Sequence, residues 1–182
     1  MKEEKDALVW SWNTKLGQVS AKQAYKALQV EERGVEIKFR YTKLWNWKLP
    51  LKIQLFIWLL LEQKILTWEI MKKRGFNGPS KCVLCGIFEE TICHLFIDCN
   101  FIKSIWTSVT KDLNNHSEWG GGEMEECFKN CILKKDNKEE IPCIICWEVW
   151  KHRNLIIFEN AFPSMSRVFS CILQDLGEYK PT

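Results

Sequence analysis

No stretch of this 182-residue chain is apolar for long enough to cross a bilayer. The longest nearly uncharged run, Ile53 to Leu61, falls far short of the roughly 20 residues a helical span requires. The opening residues, Met1 to Asp6, mix charges of both signs, and no signal-type apolar core follows them. The expectation is therefore a soluble intracellular chain, in the nucleus or cytoplasm, with no membrane partner. The marks of catalysis are missing too. There is no phosphate-binding glycine loop, no HExxH, no nucleophile elbow and no pair of acids at a plausible spacing. Aspartates are few and scattered (Asp6, Asp98, Asp112, Asp136 and Asp175), which excludes a polymerase-type carboxylate pair. Internal repeats and low-complexity tracts are also absent. These absences point away from an enzyme and toward a binding or interaction module.

What the chain does hold is a globular balance, 46% hydrophobic against 27% charged residues, with ten tryptophans to build a core of large aromatic bodies. Nine cysteines in a reducing compartment argue for thiols and metal ligands, not disulfides. The net charge of +3 is unevenly spread. From Lys38 to Lys81 ten Lys and Arg face two acids, Glu62 and Glu69, a balance of +8 that leaves −5 for the rest. Such a basic region favours phosphate backbones, although basic helix faces are also ordinary solvated surface.

Residues Ala7–Ser20 read as a short β-hairpin, and Ser20 caps a helix over Ala21–Val30. A helix over Tyr41–Trp47 stops before Leu49-Pro50. Lys52–Lys64, apolar nearly all round, is expected to be the central core helix. Thr67 should cap Trp68–Arg74, which ends at Gly75 with Lys72, Lys73 and Arg74 at the negative end of its dipole. Further helices are expected over Phe101–Leu113, Glu123–Leu133, Glu139 or Ile141 to Phe158, and Ser164–Leu176, the last capped by Ser164. The fold class is mainly α: a helical domain with a small N-terminal β-hairpin and a CCHC zinc site. Three segments are expected: a domain over 1–113, a Gly-rich linker over 114–122 and a C-terminal helical segment over 123–182.

The metal signal is Cys82-x2-Cys85-x8-His94-x4-Cys99. A two-residue gap lets Cys82 and Cys85 converge on one ion, and Gly86 frees the turn that follows. His94 sits on a helix. Five α-helical steps to Cys99 amount to about 500°, so an unbroken helix cannot present both ligands, and it must end near Asp98. Four protein ligands leave no open position for a reacting water, so one Zn2+ would be structural. Cys93, beside His94, points elsewhere into the core. A second CxxC, Cys143 and Cys146, and the pair Cys127 and Cys131 read as helix faces packed inward. Lys151-His152-Arg153 reads either as an extension of the basic patch or as a solvated helix face. Trp45 and Trp58 lie at core-like spacing and are expected to be buried.

The ordered run Asp6 to Trp10, Gly17 to Ser20, Leu44-Trp45, Leu49-Pro50, Phe56 to Trp58, Ile65 to Thr67, Lys73 to Gly75, Cys82-x2-Cys85, Glu89 to Thr91, His94 to Phe96, Cys99 and Trp106 resembles a known family. It is similar to the zinc-binding domain that follows the reverse transcriptase in plant LINE-type (non-LTR) retrotransposons. Cys146 to Asn154 with Phe158 is similar to the connector leading toward a ribonuclease H domain in such elements. The resemblance implies zinc bound by Cys82, Cys85, His94 and Cys99 and an accessory nucleic-acid role beside a polymerase. The expected function is a non-catalytic, zinc-stabilised module that binds RNA or DNA with low sequence specificity. Its contacts would be Lys48, Lys52, Lys72, Lys73, Arg74 and Lys81. The alternative is a co-opted protein-interaction domain in which zinc only props up the fold and the C-terminal helices meet a partner.

Overall fold

The computed structural model describes residues 44–114, 119–132 and 140–179. The expected hairpin over Ala7–Ser20 and helix over Ala21–Val30 lie outside the described residues. Of the helix expected over Tyr41–Trp47, Leu44 alone is helical among the described residues, and 45–49 form turns and bends. The chain divides into two units, Met1–Trp45 and Asn46–Thr182. Within the first, Trp45 is 41% exposed rather than buried as its spacing suggested.

Six α-helices and one π-helical turn make up the described part of the second unit: α1 (Leu51–Leu61), α2 (Trp68–Lys73), the π-turn (His94–Asp98), α3 (Asn100–Asp112), α4 (Met124–Ile132), α5 (Glu140–Glu159) and α6 (Met165–Glu178). Pro50 opens α1, where its missing N–H costs nothing. The helix stops at Leu61, three residues before the expected end. The Lys64 N–H returns to the Leu59 carbonyl at 2.8 Å and the Gln63 N–H to Leu60 at 3.0 Å. Gln63 takes the left-handed φ of +54° that this closing motif demands. The same pair of bonds ends α2, from Phe76 to Met71 and from Gly75 to Lys72, and there a glycine supplies the left-handed residue.

The central helix is α5, not α1. It packs against α1, α3 and α6, and Ile141 through Cys146, Glu148, Val149, His152 and Arg153 are all buried along it. On α1, Ile53, Phe56, Ile57 and Leu60 face inward, Trp58 and Leu59 are half-buried, and Leu51 and Leu55 face out. Phe56 ties three elements together: its ring lies 5.3 Å from Trp147 and 6.0 Å from Trp150 of α5, and 6.3 Å from Phe96 of the π-turn. Of the Gly-rich 114–122 stretch, Asn114 and residues 119–122 are among the described residues. There Trp119 stacks on Trp106 at 4.3 Å, meets Phe128 edge-on and donates its indole N–H to the Phe96 carbonyl at 2.7 Å. Glu126 accepts the Gly122 N–H at 2.7 Å and so starts α4.

Candidate metal centre

The donor atoms of Cys82, Cys85, His94 and Cys99 all lie within 4.8 Å of one another. Two short devices bring them there. The first is a knuckle: Lys81 and Glu89 form an antiparallel bridge, the Cys82 N–H donates to the Phe88 carbonyl at 2.8 Å, and the Glu90 N–H donates to Ser80 at 2.8 Å. Inside that closed loop the Gly86 N–H turns back to the Cys82 carbonyl at 2.7 Å, with Gly86 at a φ of +69° that a side chain would resist. The turn places the Cys82 and Cys85 sulfurs on one side.

The second device is the π-turn. The Cys99 N–H reaches the His94 carbonyl five residues back, at 2.8 Å. Closing the bond over five residues instead of four widens the turn and brings positions five apart toward one face. The expected helix end near Asp98 is present, since Cys99 is extended at φ −60° and ψ 130°. The widened winding is the part that spacing alone did not reveal. Thr91 Oγ1 accepts the His94 N–H at 3.0 Å and fixes the entry to the turn. The Phe88 ring leans on the imidazole, 5.5 Å between centroids.

Zn–S bonds of about 2.3 Å and Zn–N bonds of about 2.0–2.1 Å imply donor separations of about 3.4–3.8 Å around a tetrahedral ion. The Cys85 sulfur stands 3.3 Å from His94 Nε2, close to that range, and with every donor within 4.8 Å of the others the set can close on one ion. The thiol chemistry agrees. The Cys82 pKa is pushed up, first by its hydrogen bond to Cys99 and then by burial, while that same bond holds Cys99 down. Two thiols this close share a proton because two bare thiolates would repel, and a dication removes that conflict. Burial lowers the His94 pKa and favours the neutral imidazole that a metal needs. Cys93 stays out of the cluster, its sulfur directed at the Gly122 carbonyl at 3.7 Å.

Behind the knuckle lies an ion pair that sequence reading missed. Arg153 donates to both oxygens of Glu90, Nη2 at 2.6 Å and Nε at 3.2 Å, and both residues are buried. Glu90 Oε1 also accepts the Trp68 N–H at 3.1 Å, Arg153 Nη2 reaches the Leu66 carbonyl at 3.3 Å, and the guanidinium lies 4.8 Å over the Trp150 ring. The clamp ties α5 and the start of α2 to the segment carrying the cluster. Neither part of the basic-patch reading survives at these positions, because His152 is 3% and Arg153 4% exposed. The available signal was an arginine between the apolar runs of a long helix, with a carboxylate next to the metal motif to pair with it.

The six expected contact cations are all exposed. Lys72, Lys73 and Arg74 sit together at the end of α2, and Lys81 enters the knuckle. Glu89 links two of them, since it is the bridge partner of Lys81 and holds Lys72 Nζ at 2.8 Å. Lys73 pairs with Glu69 at 2.7 Å. Lys48 and Lys52 flank the start of α1, a separate location in the chain. Cys127, Cys131, Cys143 and Cys146 are buried, and burial raises the Cys127 pKa to about 11 and that of Cys146 well above its ordinary value.

Residues 19–106 match the family model described as zinc-binding in reverse transcriptase. Together with the four-donor cluster, the match marks residues 19–106 as similar to the zinc-binding domain of reverse transcriptases, with one Cys3His cluster suited to a single zinc ion. Among curated proteins it is similar to an Arabidopsis thaliana protein named "Putative ribonuclease H protein", 27% identical over 171 residues. That alignment covers 90% of this chain and 27% of the relative, so the chain spans about a quarter of the relative's length. No solved structure matches the chain. No helix among the described residues is long and apolar enough to cross a membrane.

Proposed function

We propose that this chain is a zinc-stabilised module that binds RNA or DNA with little sequence preference and carries no catalytic machinery of its own. Cys82, Cys85, His94 and Cys99 hold the ion, which fixes the knuckle. Lys48, Lys52, Lys72, Lys73, Arg74 and Lys81 neutralise phosphates. The observation that carries the reading is the group of exposed cations at the end of α2 and on the knuckle, beside the four-donor cluster. Each phosphate contact would release counterions, so affinity must fall with salt. A family named for reverse transcriptase and a relative named for a ribonuclease support nucleic acid as the class of partner.

The test is a titration of the zinc-loaded protein with single-stranded and duplex RNA and DNA at two salt concentrations. Charge reversal at Lys72, Lys73 and Arg74 should weaken binding on every sequence alike. An affinity indifferent to salt sinks the reading. A protein-interaction role through the C-terminal helices also has an observation in its favour: Phe158, Phe162 and Met165 are exposed where α5 turns into α6, by 75%, 87% and 46%. Partner capture that survives the charge reversal but fails in Phe158→Ser/Phe162→Ser would select that role.

A further inference from the structure

The knuckle holds two large apolar side chains out in the open. Ile87 is 62% and Phe88 59% exposed, at the tip between Cys85 and the returning residue Glu89. Their outward position is built in. The backbone on either side is fixed by the left-handed Gly86 and by the Cys82 bond to the Phe88 carbonyl, the same contacts that shape the metal centre. One face of the Phe88 ring leans toward the His94 imidazole, which limits its freedom to swing away. Cations gather at the next residue, Glu89: Lys81 lies across the bridge from it, and Lys72 Nζ is on its carboxylate. That ion pair is largely solvent-exposed, so it is worth little and yields readily to a phosphate.

An exposed ring on a fixed backbone, with exposed cations one residue along, suits one kind of ligand best. Unpaired bases offer flat π faces to stack on, whereas a duplex keeps its bases stacked on one another and presents only grooves and backbone. We infer that Ile87 and Phe88 form a stacking platform for unpaired bases, with Lys72 and Lys81 on the adjoining phosphates, so that the knuckle selects single-stranded nucleic acid over duplex. This inference rests on the nucleic-acid reading above and narrows it.

The experiment measures fluorescence anisotropy of the zinc-loaded full chain with labelled oligo-uridylate, oligo-thymidylate and a duplex of mixed sequence. Wild type should prefer the single strands. Phe88→Ala should weaken single-strand binding by about 5- to 150-fold, the range that one lost base stack spans, while leaving the salt dependence unchanged. Phe88→Trp should keep wild-type affinity, and Lys72→Ala/Lys81→Ala should flatten the salt dependence. Zinc content is measured on each variant because Phe88 touches His94. If Phe88→Ala loses zinc, Phe88→Leu takes its place and must still lose affinity while Phe88→Trp keeps it. Equal affinity for duplex and single strand, or a zinc-loaded Phe88 variant without an aromatic ring that binds like wild type, overturns the inference and leaves the broader reading standing. Absence of binding to all three probes removes both.

Discussion

Two regions of this molecule keep their shape by different means. From Asn77 to Glu89 only Cys82 and Leu84 are buried, and the rest lies at or near the surface. Along α5, by contrast, ten residues are buried against α1, α3 and α6. Burial of apolar area, worth about 25 cal/mol per Å2, accounts for order in the second region and has almost nothing to act on in the first. A segment with so little core holds one conformation only if another source of free energy replaces it. Three thiols and an imidazole converging on one point provide that source once a dication sits among them.

The sharpest way to break the contrast is to remove the ion. Chelation, or Cys82→Ser, should abolish zinc binding and expose the backbone amides of 80–99 to rapid hydrogen exchange, while those of α5 and α6 stay protected. Structural zinc contributes about 10–16 kcal/mol of apparent binding free energy in small zinc-finger peptides, so this is the largest effect expected. Metal analysis and exchange mass spectrometry check it. Equal protection of the knuckle with and without zinc would show that its few backbone bonds suffice alone.

The two regions also use buried carboxylates in opposite ways. Glu90, beside the knuckle, meets a bidentate Arg153 and a backbone N–H. Glu148, on α5, has Lys151 Nζ at 2.5 Å but shares that cation with Asp175. Arg153→Met strands the Glu90 charge and should cost about 3–5 kcal/mol by chemical denaturation. The double variant Arg153→Met/Glu90→Gln should recover part of that loss, since it leaves no unpaired charge behind. Full additivity of the two changes would mean the clamp is not a coupled pair.

Glu148 gives a smaller effect with a distinct pH signature. Burial and the neighbouring Asp175 raise its pKa to about 7, against the pull of Lys151. The folded chain then holds a proton that the unfolded chain has lost at an ordinary carboxyl pKa of about 4.3. Its stabilising contribution is therefore complete below about pH 4 and is lost as pH rises through about 7. Burial lowers the His152 pKa, so that residue contributes a slope of opposite sign, with stability lost as pH falls below its ordinary range. Subtracting a Glu148→Gln variant isolates the carboxylate: the variant should gain about 1–3 kcal/mol at pH 8 and nothing near pH 4. A constant difference across that range would place the ionised form comfortably in the fold.

Sequence periodicity gave away most helices of this fold because their causes are local. Ser164 caps α6 as its position suggested, and α3 to α6 begin and end within a residue or two of expectation. The four donors were legible from spacing and residue type. What was not legible came from contacts far apart in the chain or from backbone winding. The Glu90–Arg153 clamp spans 63 residues, the π-turn leaves no compositional mark, and the outward Ile87 and Phe88 look like core residues by composition. The choice of α5 over α1 as the central helix was equally hidden. Of the two, α1 is the more apolar, and only packing reveals that its Leu51 and Leu55 face solvent.

The smallest prediction concerns two helix starts that look alike in sequence. Ser164 Oγ accepts the Arg167 N–H at 3.3 Å, a side-chain cap. Thr67 stands in the same position before α2 but makes no such bond, and its buried hydroxyl has no partner among the described residues. The free N–H groups of α2 go instead to Glu90, Trp68 to its carboxylate at 3.1 Å and Glu69 to its carbonyl at 3.2 Å. Ser164→Ala should therefore cost about 1 kcal/mol, the ordinary worth of a cap. Thr67→Val should be neutral or stabilise by up to about 1 kcal/mol, because it removes a buried polar atom that nothing satisfies. Denaturation midpoints of the two variants decide the matter. A loss in Thr67→Val as large as that in Ser164→Ala would hand the start of α2 back to its own hydroxyl and take the capping role away from Glu90.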